Sequence, residues 1–253
     1  HHARPPPIEV LHADADLVVV NKPARLPVVT LDADEDCVAA QLGRLMKCDA
    51  ATFRIVDAMD SDVSGLMAMA RTALSEKVLV RQFKSGAMER RYLAIVRAAP
   101  FEPDGRIEIA IGSDRYRRGL MRIGGGKARD AVTEWTLRER FTGFALLECR
   151  PLRERGDQVR LHLQAAGMPL AVDPDYGGNR ALLLSSFKPG YRPSRRHGER
   201  PLIARISLHA ASLAFNHPTS GTSCRFEAAP PKDFRAALNQ LDKHGRIGCP
   251  PPQ

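Results

Sequence analysis

The sequence predicts a mixed chain of strands and helices, with strands in the majority. Two observations lead there. Short β-branched or alternating apolar runs recur, as in residues 17–20 and 144–150, and period-two runs of that length are strands. Between them stand fewer segments whose apolar residues fall three and four apart, as Leu74, Val78, Leu79 and Phe83 do, and those are helices. The length of 253 residues suffices for one large domain or two small ones with a sizeable core.

Residues 1–7 are Pro-rich and expected to be a disordered tail. Residues 8–11 and 17–20 read as strands around an acidic turn at Asp14 and Asp16. Pro23 ends the second strand, because proline cannot donate to a sheet ladder. Val38, Leu42 and Leu45 mark a helix over 36–45, followed by linker at 48–52. Residues 66–70 are continuously apolar, as a central strand requires. A helix over 73–83 and a strand over 89–96 follow.

Residues 105–129 read as a basic, glycine-rich loop carrying Arg106, Arg115, Arg117, Arg118, Arg122, Lys127 and Arg129. Glycines let a backbone approach a phosphate chain and arginines neutralise it, so the segment is either a nucleic-acid clamp or a solvated loop. Strands at 131–138 and 144–150 pair as a hairpin. A helix over 155–167 ends at Gly167, with Asp157 placed to cap its free N–H groups. A second Arg-rich loop spans 179–205, with Arg192, Arg195 and Arg196. A strand pair at 206–215, a last strand at 223–228 and an amphipathic helix over 231–241 complete the reading, leaving 242–253 as a tail. No internal repeat and no clean linker divide the chain.

Net charge is +9 with an isoelectric point near 9.7, and most of the 38 basic residues are Arg. The planar guanidinium suits phosphate, so the balance favours a polyanionic partner. The five cysteines are odd in number and scattered, with no CxxC or Cys/His spacing, which points to reduced thiols in a cytoplasmic protein without structural zinc. No apolar run reaches the length of a membrane span.

The densest chemical signal is Asp57-Ala58-Met59-Asp60-Ser61-Asp62-Val63-Ser64-Gly65-Leu66. Carboxylates crowded at the mouth of a buried strand resist desolvation and repel one another. Such a cluster is a solvated turn, a metal site, or a place where one carboxylate is kept for chemistry. Read as a metal site, Asp60-Ser61-Asp62 would need further acidic ligands and a nucleotide cradle, and the sequence offers neither.

Residues 56–70 resemble the catalytic motif of the RluA-type family of pseudouridine synthases, written HRLDxDTSGLLxxA. Asp60 falls on the aspartate of that motif, with Asp62, Ser64, Gly65 and Leu66 in register. Asp57, Ala58, Met59 and Val63 stand in place of the motif's His, Arg, Leu and Thr. Further pieces match in order. Asn21-Lys22-Pro23 resembles the family's opening strand-end motif, and 89–96 resembles ExxYLAxV, with Tyr92 on the tyrosine. Residues 154–167 and 168–178 resemble GRTHQIRVHLxxxG and HPLxGDxxYGG, matching at Arg155, Gln158, Arg160, His162 and Tyr176. Residues 206–218 resemble LxLHAxxLxFxHP.

The resemblance covers residues 8–241 and implies the α+β pseudouridine synthase fold, a bent, mainly antiparallel sheet with flanking helices and a basic cleft. It implies one catalytic domain over 8–241 that begins without the small RNA-binding module many relatives carry. The family isomerises uridine to pseudouridine in RNA without metal or organic cofactor. By that resemblance Asp60 is the nucleophile, Arg160 pairs with Asp60 and orients it, and Tyr92 packs on the uracil. Lys22, Arg115, Arg117, Arg118, Arg122, Lys127, Arg155, Arg192, Arg195 and Arg196 are the expected RNA contacts, with Lys22 equally open to a structural role. The expected partner is an rRNA or tRNA stem-loop, and the protein is expected to be a monomer. Two readings stand here, an active synthase and an inactive relative that still binds RNA.

Overall fold

The computed structural model describes residues 7–30, 36–97, 100–193 and 198–247. In chain order, β1 (Glu9–Ala13) and β2 (Leu17–Lys22) are followed by α1 (Val38–Met46), β3 (Arg54–Ile55), β4 (Ser64–Ala70), α2 (Ala73–Ser85) and β5 (Glu89–Val96). Then come β6 (Asp104–Glu108), β7 (Ile111–Ser113), β8 (Met121–Ile123), β9 (Gly126–Arg129), β10 (Val132–Phe141) and β11 (Phe144–Pro151). The helix α3 (Gln158–Ala165), β12 (Leu208–Asn216), β13 (Ser223–Glu227), α4 (Lys232–Gly245) and β14 (Arg246–Ile247) end the described chain. This is an α+β protein with a mainly antiparallel large sheet, in which β12 meets β4 in parallel.

The chain forms two compact units, one of His1–Arg91 with His209–Ala229 and one of Tyr92–Leu208 with Pro230–Gln253. In the first, the strand order is β1-β2-β4-β12, with β3 on β4 and β13 on β12. Every residue of β4 is buried, which is why 66–70 reads as an unbroken apolar run. One face of the sheet presents Leu17, Val19, Leu66, Ala68 and Leu213, packed with Leu79 of α2. Thr72 starts α2 with a capping box to Ser75, and Gly86 ends it at φ 82°, in the left-handed region.

In the second unit, β5 pairs β11, β11 pairs β10, and β6 and β14 both pair β10. The core gathers Ile95, Phe141, Phe144 and Leu146 with Phe234, Ala237 and Leu241, which lie three and four apart on α4.

Several expectations change. Residues 105–129 are more than a loop: β6 joins the main sheet of this unit, and β7, β8 and β9 form a three-stranded sheet of their own. The strand pair expected at 206–215 is the single strand β12. The C-terminal tail is shorter than expected, because α4 runs to Gly245 and β14 pairs with Arg140 and Phe141. The helix at 155–167 is reduced to α3, because Asp157 has φ 57° and lies outside helical geometry.

Candidate active-site residues and nucleic-acid interface

In the first unit, the segment from Val56 to Val63 brings Asp57, Asp60 and Asp62 to the entrance of β4. The Asp60 carboxylate accepts the N–H of Asp62 at 2.8 Å, and its carbonyl accepts the N–H of Val63 at 3.2 Å. That pair of bonds is an Asx-type turn, which fixes the aspartate relative to the strand behind it. Asp57 pairs with the guanidinium of Arg90, which is buried and lies 6.0 Å from the centre of the Phe83 ring.

Ser64 and Gly65 of the motif serve the fold. The Nε2 of His209 faces the carbonyl oxygen of Ala228 at 3.1 Å, so it carries the proton, and Nδ1 accepts from the Ser64 hydroxyl at 3.0 Å. Gly65 has φ 118°, and a Cβ there would lie 2.3 Å from the Ala210 carbonyl oxygen. Only glycine permits β4 to approach β12 this closely.

Of the two readings of Lys22, phosphate contact and structural residue, its surroundings fit the second. It has no exposed surface, and its ammonium donates to the carbonyls of Pro23, Leu26 and Ser61 at 3.1, 2.9 and 2.8 Å. Its described partners are those of a structural brace linking the strand end to the turn that carries Asp60.

In the second unit, Tyr92 is buried on β5 and its hydroxyl donates to the Glu154 carboxylate. Arg160, on α3, is buried among carboxylates. It forks onto Asp173 at 2.8 and 2.9 Å and reaches Asp157 at 3.0 Å and Asp175 at 2.9 Å. Burial opposes its charge, but these carboxylates, Asp173 foremost, outweigh burial and raise its pKa above the ordinary value. Its guanidinium also lies 4.7 Å from the centre of the Tyr176 ring.

Asp157 departs from its expected role. Its side chain makes no capping bond, and it accepts instead from Arg160 and, at 2.6 Å, from the Tyr176 hydroxyl. A left-handed residue at this position turns its carboxylate away from the helix's free N–H groups. Burial first, then Asp157, raises the Tyr176 pKa. The neighbouring motif residues are structural. Gln158 ties Arg155 to Val132 and Thr133, and His162 bridges Thr133 and the Ile109 carbonyl at 2.9 Å on each side.

Among the expected RNA contacts, Arg115, Arg117, Arg118, Arg122, Lys127 and Arg192 are exposed, while Arg155 is half-buried. Arg117 is partly spent within the protein, bonding Asp114 of its own turn at 3.1 Å and the Asp175 carbonyl at 2.8 Å. Arg195 and Arg196 lie outside the described residues. The pairing of Asp57 with Arg90 and of Tyr92 with Glu154 is not readable from the sequence, since neither partner carries a spacing signal. Of metal-ligand character, Asp14, Asp16 and His217 come within 4.8 Å of one another. Asp14 already accepts from the N–H groups of Asp16 and Leu17 and contacts His12 and His217.

A family model described as RNA pseudouridylate synthase matches residues 16–165, a span that includes Asp60, Tyr92 and Arg160. The chain belongs to the RluA-type family of RNA pseudouridine synthases. Within that family it is similar to the ribosomal large subunit pseudouridine synthase D of Neisseria meningitidis serogroup B, 34% identical over 94% of this chain and 62% of that protein. The protein of the same name from Xanthomonas campestris is 35% identical over 95% of this chain and 72% of its own length. The chain thus spans under two thirds of the Neisseria relative. Among solved structures, human RNA Pseudouridylate Synthase Domain Containing 1 superposes with a TM-score of 0.69 at 23% identity, covering 97% of this chain and 91% of that one. That likeness shows a shared fold.

Proposed function

We propose that this protein converts uridine to pseudouridine in RNA, with Asp60 as the nucleophile. The observation that supports it most is the family match over 16–165, a span that contains Asp60, Tyr92 and Arg160. The Asp60 carboxylate attacks the ribose C1′ as the bond to uracil N1 breaks. The freed uracil turns, C5 bonds to C1′ as the aspartyl ester leaves, C5 loses its proton and N1 gains one. Atoms and electrons balance with no outside reagent. The target nucleotide leaves its stack to be reached, which is least costly in an RNA loop.

Tyr92 and Arg160 are the other residues we assign to this chemistry. Tyr92 offers a ring for the uracil. Arg160 supplies a guanidinium whose orientation Asp173 and Asp175 fix. The exposed basic residues Arg115, Arg118, Arg122, Lys127 and Arg192 are the phosphate contacts of this reading, and Arg155, Arg195 and Arg196 extend it. The relatives named for the large ribosomal subunit favour its RNA as substrate, and the scattered, unpaired cysteine pattern is our reason for placing the protein in the cytoplasm. The test maps pseudouridines in ribosomal RNA from cells with and without the protein. At least one uridine in the large-subunit RNA loses modification on deletion. An unchanged map contradicts this substrate assignment.

A further inference from the structure

Tyr116 is 73% exposed, although an aromatic ring left in water forgoes the burial that would stabilise the fold. Its position is nevertheless built. The Asp114 carboxylate accepts the N–H groups of Tyr116 and Arg117 at 2.9 and 3.3 Å and the Arg117 side chain at 3.1 Å. The Asp114 N–H closes the turn onto the Leu120 carbonyl at 2.9 Å, and Gly119 supplies the left-handed residue at φ 86°.

The turn is fastened to the body of its own unit. The Met121 N–H donates to the Tyr176 hydroxyl at 3.0 Å, and Leu120, Met121 and Ile123 pack with Ile111, Leu161 and Tyr176. Tyr176 in turn contacts Asp157 and lies under Arg160. The exposed ring therefore stands at a fixed place relative to α3.

The electrostatic setting is one-sided. The Arg115 guanidinium lies 4.6 Å from the centre of the Tyr116 ring, Arg118 is exposed in the same turn, and Arg122 is exposed on β8. A ring that stays largely exposed with a cation laid over it still has surface open to a second planar group. Aromatic rings among arginines are the combination that holds single-stranded RNA: the cations meet phosphates and the ring stacks on a base.

We propose that Tyr116 is a stacking platform for one unpaired nucleobase of the bound RNA, with Arg115 and Arg118 on the flanking phosphates. This inference rests on the RNA-modifying reading above and adds a subsite outside the residues assigned to the chemistry.

The test measures binding of a fluorescein-labelled 12-nucleotide oligouridylate and of an abasic ribose-phosphate oligomer of equal length. Tyr116→Ala should weaken binding of the oligouridylate by about 5- to 150-fold and leave the abasic oligomer within about twofold. Tyr116→Trp should retain binding. Because stacking releases no counterions, Tyr116→Ala should leave the slope of log K against log salt unchanged, whereas Arg115→Ala lowers it by about 0.7. Equal binding of oligouridylate by wild type and Tyr116→Ala overturns the platform, as does equal loss for both oligomers. Absence of oligouridylate binding by wild type overturns it as well. Failure of the synthase reading looks different: the oligomer binds in a Tyr116-dependent way while no uridine in ribosomal RNA is converted.

Discussion

A lysine with no exposed surface must find acceptors, and Lys22 finds three carbonyls, one of them Ser61 beside the proposed nucleophile. Lys22→Met would leave those carbonyls without their donor, at a cost of roughly 2–4 kcal/mol in stability. A urea denaturation midpoint equal to wild type would show that the brace is dispensable. His162 gives a second test at this scale. Burial holds its pKa below the ordinary value of 6.5, against the hydrogen bond to Ile109. The unfolded chain then takes up a proton near pH 6.5 that the folded chain refuses, so this contribution is complete above that pH and lost below it. Melting temperature should fall from pH 7.5 to 5.5, and His162→Gln should make the fall shallower; an unaltered slope would contradict the assignment. The types of these residues were legible in the sequence, but their partners were not. Lys22 reads equally as a phosphate contact or a structural lysine until the burial around β2 is known, and Asp157 reads as a cap until its φ of 57° is seen.

Among the elements, those with strong periodicity were readable. Residues 89–96 read as a strand and are β5, and the apolar run at 66–70 lies within β4. The small sheet of β7, β8 and β9 was not, because β9 is exposed at every residue and the others are three residues each, too short and polar to show period two. The end of α4 is not readable because residues 242–245 are polar and lie beyond Leu241, the last residue of the helix in this core. Gly65 joins sequence to packing most directly. Gly65→Ala would strain a φ of 118° and drive a methyl into the Ala210 carbonyl, costing roughly 2–5 kcal/mol. The expected result is a lowered melting temperature; a variant as stable as wild type would mean that β4 and β12 approach less closely than described.

For the whole molecule, the charge of +9 drew attention to RNA, but charge alone names no substrate. Family membership came from motif order along the chain, which the match over 16–165 supports independently of any one motif. The altered residues Asp57 and Ala58 sit within that order. Asp57 has a buried cation, Arg90, to balance it, so the substitution does not leave an uncompensated carboxylate beside the turn. The proposed chemistry turns on a single carboxylate, while affinity for RNA comes mostly from phosphate contacts. The most direct measurement follows tritium release from ribosomal RNA labelled at uracil C5, with wild-type protein and with Asp60→Asn. Wild type should release tritium, and Asp60→Asn should release none while keeping its RNA affinity and melting temperature near wild type. Release by Asp60→Asn at the wild-type rate would contradict Asp60 as the nucleophile.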